Sequence, residues 1–126
     1  MKTILLVEED PLQAMRWMSF LEKRFRRVRR VADPVDAFCL IEQPAFSQNL
    51  GLVVTAHHLP GLSGPAFVDE LLARKPALPV LVLDATPESM REYASAGVRL
   101  LSKPISEEQL TAVISQMLHG GAHKAA

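Results

Sequence analysis

Five short apolar runs, each followed by a stretch with helical spacing, constrain this chain more than any other feature. The runs cover Thr3–Val7, Val28–Val31 and the segments 50–55, 79–83 and 99–101. Those at 3–7, 50–55 and 79–83 are nearly continuous Leu, Val and Ile, the pattern of central strands covered on both faces. The other two read as flanking or edge strands. Four intervening segments open on a cap residue before proline, at Asp10-Pro11, Asp33-Pro34, Gly64-Pro65 and Thr86-Pro87. Proline is tolerated in the first helical turn, because its missing N–H has no intrahelical partner there. A fifth start, Ser106-Glu107-Glu108-Gln109, has the form of a capping box; Leu110, Val113, Ile114 and Met117 then follow at helical spacing. Gly120 is a natural stop for that helix.

Strand and helix alternate five times, which implies a parallel sheet with right-handed crossovers. With 126 residues the chain is too short for an eight-stranded barrel, which needs roughly twice as many. The expected fold is α/β, a flavodoxin-like doubly wound sheet of strand order 2-1-3-4-5 with five helices. The expected organisation is one domain over 1–119 and a disordered tail over 120–126, with no room for an output domain. The first apolar run is cut by three acids, so it reads as neither a signal peptide nor a membrane span. A single cysteine suits a reducing cytosol, and a cytoplasmic location is expected. Cys39 itself reads as a small buried hydrophobe.

In open sheets of this kind, ligands bind beyond the carboxyl ends of the strands. Glu8, Glu9 and Asp10 follow the first run and Ala56, His57 and His58 the third. Asp84 follows the fourth, and Ser102, Lys103 and Pro104 the fifth. Crowded carboxylates bind a cation, pair with a base or take up protons. Asp10 reads as a helix cap, whereas Glu8 and Glu9 fall at the switch point. Lys103 and Asp84, after adjacent strands, are expected to pair. His57 and His58 are adjacent on an extended segment and so should point opposite ways, which argues against a shared metal ion.

The strings ILLVEEDP, LVVTAHHLPGLSG, PVLVLDA and GVRLLSKP resemble the receiver domain of two-component response regulators over nearly the whole chain. The resemblance implies phosphoryl transfer from a histidine kinase to an aspartate at the end of the third strand. It also implies Mg²⁺ on an acidic pair, and a hydroxyl and a lysine that contact the phosphoryl group. Carried onto this chain, the acidic pair is Glu8 and Glu9 and the lysine is Lys103. The acceptor position is Ala56, the hydroxyl position Asp84 and the aromatic switch position Leu100. Ala56 has no nucleophile, and Asp84 sets a negative charge where an incoming anion would be met. The resemblance therefore implies a pseudo-receiver, non-enzymatic and phosphorylation-independent, binding Mg²⁺ weakly at most.

Such a stand-alone domain of bacterial phosphorelay signalling would act by protein–protein interaction. Its partner would be a histidine kinase, an output protein or a second copy, met on a face carrying Met90, Tyr93, Arg99 and Leu100. Two alternatives are a displaced acceptor, on Asp84 or a pocket glutamate, and a small metal-binding sensor. Six bases in eight residues lie between Lys23 and Arg30, a run able to steer an acidic partner, a nucleic acid or an anionic lipid. Equal numbers of acids and bases over the chain, 14 each, argue against nucleic acid. On the first helix, Ala14, Met15, Met18, Leu21 and Phe25 form the expected buried stripe, which leaves Trp17 and Phe20 in surplus.

Overall fold

A computed structural model of the chain describes residues 2–93 and 97–125, the last six of these by backbone alone. Strands β1 (Thr3–Val7), β2 (Val28–Val31), β3 (Leu50–Ala56), β4 (Val80–Leu83) and β5 (Val98–Leu101) form one sheet of order β2-β1-β3-β4-β5. Every neighbouring pair is parallel. This is the expected flavodoxin-like topology. The buried residues of β1, β3 and β4 alternate between two cores. Leu5, Val7, Val53, Val80 and Val82 pack with Phe67, Val68 and Leu71 on one side. Ile4, Leu6, Leu52, Val54, Leu81 and Leu83 pack with Trp17, Leu21, Leu110 and Ile114 on the other.

Among the described residues five α-helices flank the sheet, and they are not distributed one per crossover. They are α1 (Pro11–Glu22), α2 (Pro34–Ile41), α3 (Pro44–Asn49), α4 (Gly64–Arg74) and α5 (Glu107–Ala125). The β2–β3 connection holds both α2 and α3. The β4–β5 connection holds a 3₁₀ turn, Ser89–Glu92, followed by residues 94–96 outside the described set. Thr86 was expected to cap a helix. It and Ser89 instead close a hydroxyl-to-amide loop on each other, Ser89 N–H donating to Thr86 Oγ1 at 3.2 Å and Thr86 N–H to Ser89 Oγ at 2.9 Å. Such local side-chain bonds offer the backbone an alternative to a regular helix.

The other starts behave as capping chemistry requires. Asp10 accepts from Leu12 N–H, Asp33 from Asp36 N–H and Ser106 from Gln109 N–H, each at about 3 Å. At the fourth helix the cap is Ser63, one residue earlier than expected, accepting from Ala66 N–H. Gly64 becomes the first helical residue there.

Three further readings are corrected. The buried stripe of α1 is Ala14, Trp17 and Leu21, while Met15 is 68% exposed. The spacing i, i+3, i+7 selects the tryptophan, and the Arg16 guanidinium lies over both the Trp17 and Phe20 rings. Cys39 is exposed on α2, because Ala37, Leu40 and Ile41 already fill its inner face. Helix α5 runs from Glu107 to Ala125, past the stop expected at Gly120. A glycine costs about 1 kcal/mol in a helix, too little to end one already anchored through Leu110 and Ile114.

Candidate functional site

The carboxyl ends of β1, β3, β4 and β5 bring Glu8, Ala56, Asp84 and Lys103 to one edge of the sheet, as the topology requires. Glu8 is the first residue beyond β1 and is buried. Its Oε2 accepts from the Asp10 N–H at 3.1 Å, and the indole of Trp17 approaches it without completing a hydrogen bond. Burial, and secondarily the neighbouring Asp84 charge, raises the Glu8 carboxyl above its ordinary pKa. Glu9 is exposed. Arg30 grips the backbone of this acidic loop, its Nε and Nη2 donating to the Glu8 carbonyl at 3.1 and 2.7 Å and its Nη2 to the Glu9 carbonyl at 3.2 Å.

A carboxyl whose folded pKa is raised favours the protonated form on folding. Its stabilising effect is therefore present below the ordinary carboxylate range and lost as pH rises through the raised value. Glu8→Gln should accordingly stabilise the protein at neutral pH, by about 1 kcal/mol or a few degrees in Tm. The gap between variant and wild type should close as the pH is lowered toward 4, measured by thermal melts across pH. A gap that does not change with pH would mean that Glu8 is not the titrating group.

Ala56 ends β3 with 6% of its surface exposed, paired to Leu83. Its methyl group offers neither nucleophile nor metal ligand. Asp84 follows β4 in the left-handed region, at φ 66°, a backbone conformation that a non-glycine residue seldom adopts. Asp84 Oδ2 lies 3.7 Å from Lys103 Nζ, and its Oδ1 is buried without a partner. The expected pair is therefore present. With Lys103 about half exposed, such a contact is worth about 1 kcal/mol or less. The hydroxyl of Ser102 is engaged with the Ala85 carbonyl at 2.8 Å.

These residues do not fit the magnesium site that the resemblance implies. Mg²⁺ demands near-octahedral oxygen ligation. Here Ala56 supplies no oxygen, Glu9 is exposed, burial makes the ionised Glu8 carboxyl costlier, and Asp84 is already engaged by Lys103. Among the described residues there is no group of three or more His, Cys, Asp and Glu side chains arranged to hold a metal ion.

The two histidines depart from expectation. The chain bends at 57–58, so the rings lie edge to face with centroids 4.8 Å apart rather than on opposite sides. Nδ1 of His57 meets the Tyr93 hydroxyl at 2.5 Å. Burial raises the Tyr93 phenol and lowers the His57 imidazole, and Nδ1 and the hydroxyl share one hydrogen bond. This bond ties the loop after β3 to the β4–β5 connection. It needs a glycine at position 64, where a Cβ would run into both the Tyr93 hydroxyl and the His57 carbonyl. No spacing signal in the sequence links residues 36 apart, so neither the tie nor the role of Gly64 was legible there.

Of the remaining expected positions, Leu100 is half-buried against the core on the α4 side. Met90 and Arg99 are exposed, and Arg99 donates to Gln116 Oε1. Tyr93 is half-buried and turned onto His57, not outward with them.

The chain matches the family model of the response regulator receiver domain over residues 4–115. Among solved structures it is similar to a response regulator receiver domain protein from Methanospirillum hungatei (TM-score 0.85, 20% identity, 98% of each chain covered). It is also similar to the signal receiver domain of an HD domain-containing protein from Pseudomonas fluorescens (TM-score 0.83, 23% identity, 94% of this chain and 95% of that one). A third likeness is to the signal receiver domain of a signal transduction histidine kinase from Syntrophus aciditrophicus (TM-score 0.81, 21% identity, 95% of this chain and 92% of that one). Among curated proteins none matches.

Proposed function

The chain belongs to the response regulator receiver domain family, and we propose that within two-component signalling it is a phosphorylation-independent member that acts by binding another protein. The observation that carries this reading is the end of β3. Ala56 stands there with no acceptor oxygen, while Lys103 is drawn to the carboxylate of Asp84 instead of a phosphoryl group. Asp84 would also repel an incoming phosphoryl donor, and half-buried Leu100 lacks the aromatic ring of the usual switch.

A protein–protein role is supported by large apolar side chains left in solvent. Leu12 and Met15 on α1 and Val35 on α2 are each more than two-thirds exposed, and Met90 is 41% exposed. The partner class is a histidine kinase, an output protein or a second copy. No helix among the described residues is long and apolar enough to cross a membrane.

Incubation with acetyl phosphate and Mg²⁺ followed by intact-mass measurement tests the reading directly. The mass should not change. A stoichiometric phosphoryl adduct would overturn it in favour of a displaced acceptor, and peptide mapping would then locate that acceptor at Asp84 or Glu8.

A further inference from the structure

We propose that the exposed edge of β2 is a docking site for an acidic, extended protein segment, which adds to the sheet as a sixth strand. Strand β2 lies at the end of the sheet and pairs with β1 alone. Arg27 and Val31 give their carbonyls to the N–H groups of Ile4 and Glu8. In a parallel ladder, alternate residues face the same neighbour, so Val28 and Arg30 turn their own N–H and C=O groups outward. Outside the ladder with β1, neither backbone N–H donates to a backbone carbonyl among the described residues. An open row of this kind is a template for an added strand.

Charge selects what can add. Of the six bases in this run, Lys23 pairs with Glu107 at 3.1 Å and Arg30 holds the Glu8 and Glu9 carbonyls. Arg24, Arg26, Arg27 and Arg29 are exposed and take part in no ion pair found among the described residues. They surround β2 from its entry loop to its middle. A second copy paired through the same edge would set arginine against arginine, which is repulsive. A nucleic acid is disfavoured because it has no peptide backbone to pair with the outward N–H and C=O groups of β2, and its unbroken row of phosphates would also meet the carboxylate of Asp36. That residue lines the open cleft of about 360 Å³ beside Arg29 and Arg30. An acidic peptide avoids both problems, since its carboxylates can be placed residue by residue while its backbone satisfies Val28 and Arg30.

The test uses the intact protein and a fluorescein-labelled peptide of alternating Glu and Val. Binding is followed by anisotropy, and amide exchange at Val28 and Arg30 by NMR. The peptide should bind and slow exchange at those two amides. The triple variant R24Q/R26Q/R27Q, on exposed positions that carry no core contact, should bind it about tenfold more weakly. A peptide N-methylated at alternate residues, with its charge unchanged, should fail to bind. No binding, equal binding of the N-methylated peptide or unprotected Val28 and Arg30 amides would overturn strand addition. Tighter binding of a short DNA duplex through the same arginines would replace the acidic segment with a nucleic acid.

Discussion

Trp17→Ala should destabilise the protein by about 3–5 kcal/mol, the range for deleting a fully buried large aromatic. Trp17 has no exposed surface and fills the space between β1, α1 and α5, among Ile4, Leu6, Leu21, Leu110 and Ile114. Domains of this size hold about 5–15 kcal/mol in all, so the variant should lie close to the edge of folding. Urea denaturation followed by far-UV circular dichroism measures this, because the chain has no other tryptophan to report by fluorescence. Trp17→Phe keeps most of the packing and should cost less than half as much. The larger change should also be felt at the site. The Trp17 indole approaches the Glu8 carboxyl, so its loss should alter the pH dependence of stability that Glu8 carries. Destabilisation below about 1 kcal/mol would mean that the indole is not the keystone of this core.

Trp17 also marks where the sequence was ambiguous. On α1, residues 14, 17 and 21 and residues 14, 15, 18 and 21 both describe apolar faces, and a one-residue rotation of the helix separates them. Packing on β1 and β3 decides between them, and composition does not. The strands were legible because their periodicity differs from that of every other segment. Strand order followed from alternation and crossover handedness. The crossover between β4 and β5 was not legible, since Thr86-Pro87 reads as a helix start while Ser89 turns the same hydroxyl chemistry into a 3₁₀ turn. Helix α3 was missed although Pro44 stands at its first position, because no side chain caps it. At the site, position along the chain was enough to bring Glu8, Asp84 and Lys103 together. It was not enough to separate buried Glu8 from exposed Glu9, or to show Arg30 holding the loop that carries both. The His57–Tyr93 tie depends on a bend and a glycine far apart in sequence, and such contacts exist only once the fold is built.

Ala56→Asp combined with Asp84→Thr should confer phosphoryl transfer onto the end of β3, where the proposed function has the wild-type chain take none. The single change A56D places a carboxylate at a buried position on the edge that already carries Glu8 and Asp84. Unpaired charge in such a place is costly, and this variant alone should lose about 2–3 kcal/mol of stability. Adding D84T removes one of the competing charges, supplies a hydroxyl and frees Lys103 from its 3.7 Å contact, so that lysine can meet a phosphoryl oxygen. It also lowers the local negative charge that opposes an anionic donor. With acetyl phosphate and Mg²⁺, an oxygen of the introduced carboxylate attacks phosphorus and acetate leaves, so the product gains one phosphoryl group. Intact mass should show that adduct in the double variant and in neither A56D nor wild type. The control A56N/D84T, with an amide in place of the nucleophile, should stay unmodified. A double variant that is folded by circular dichroism yet gains no mass would show that the end of β3 is not where the acceptor belongs, or that Glu8 and Glu9 cannot hold the metal the reaction needs.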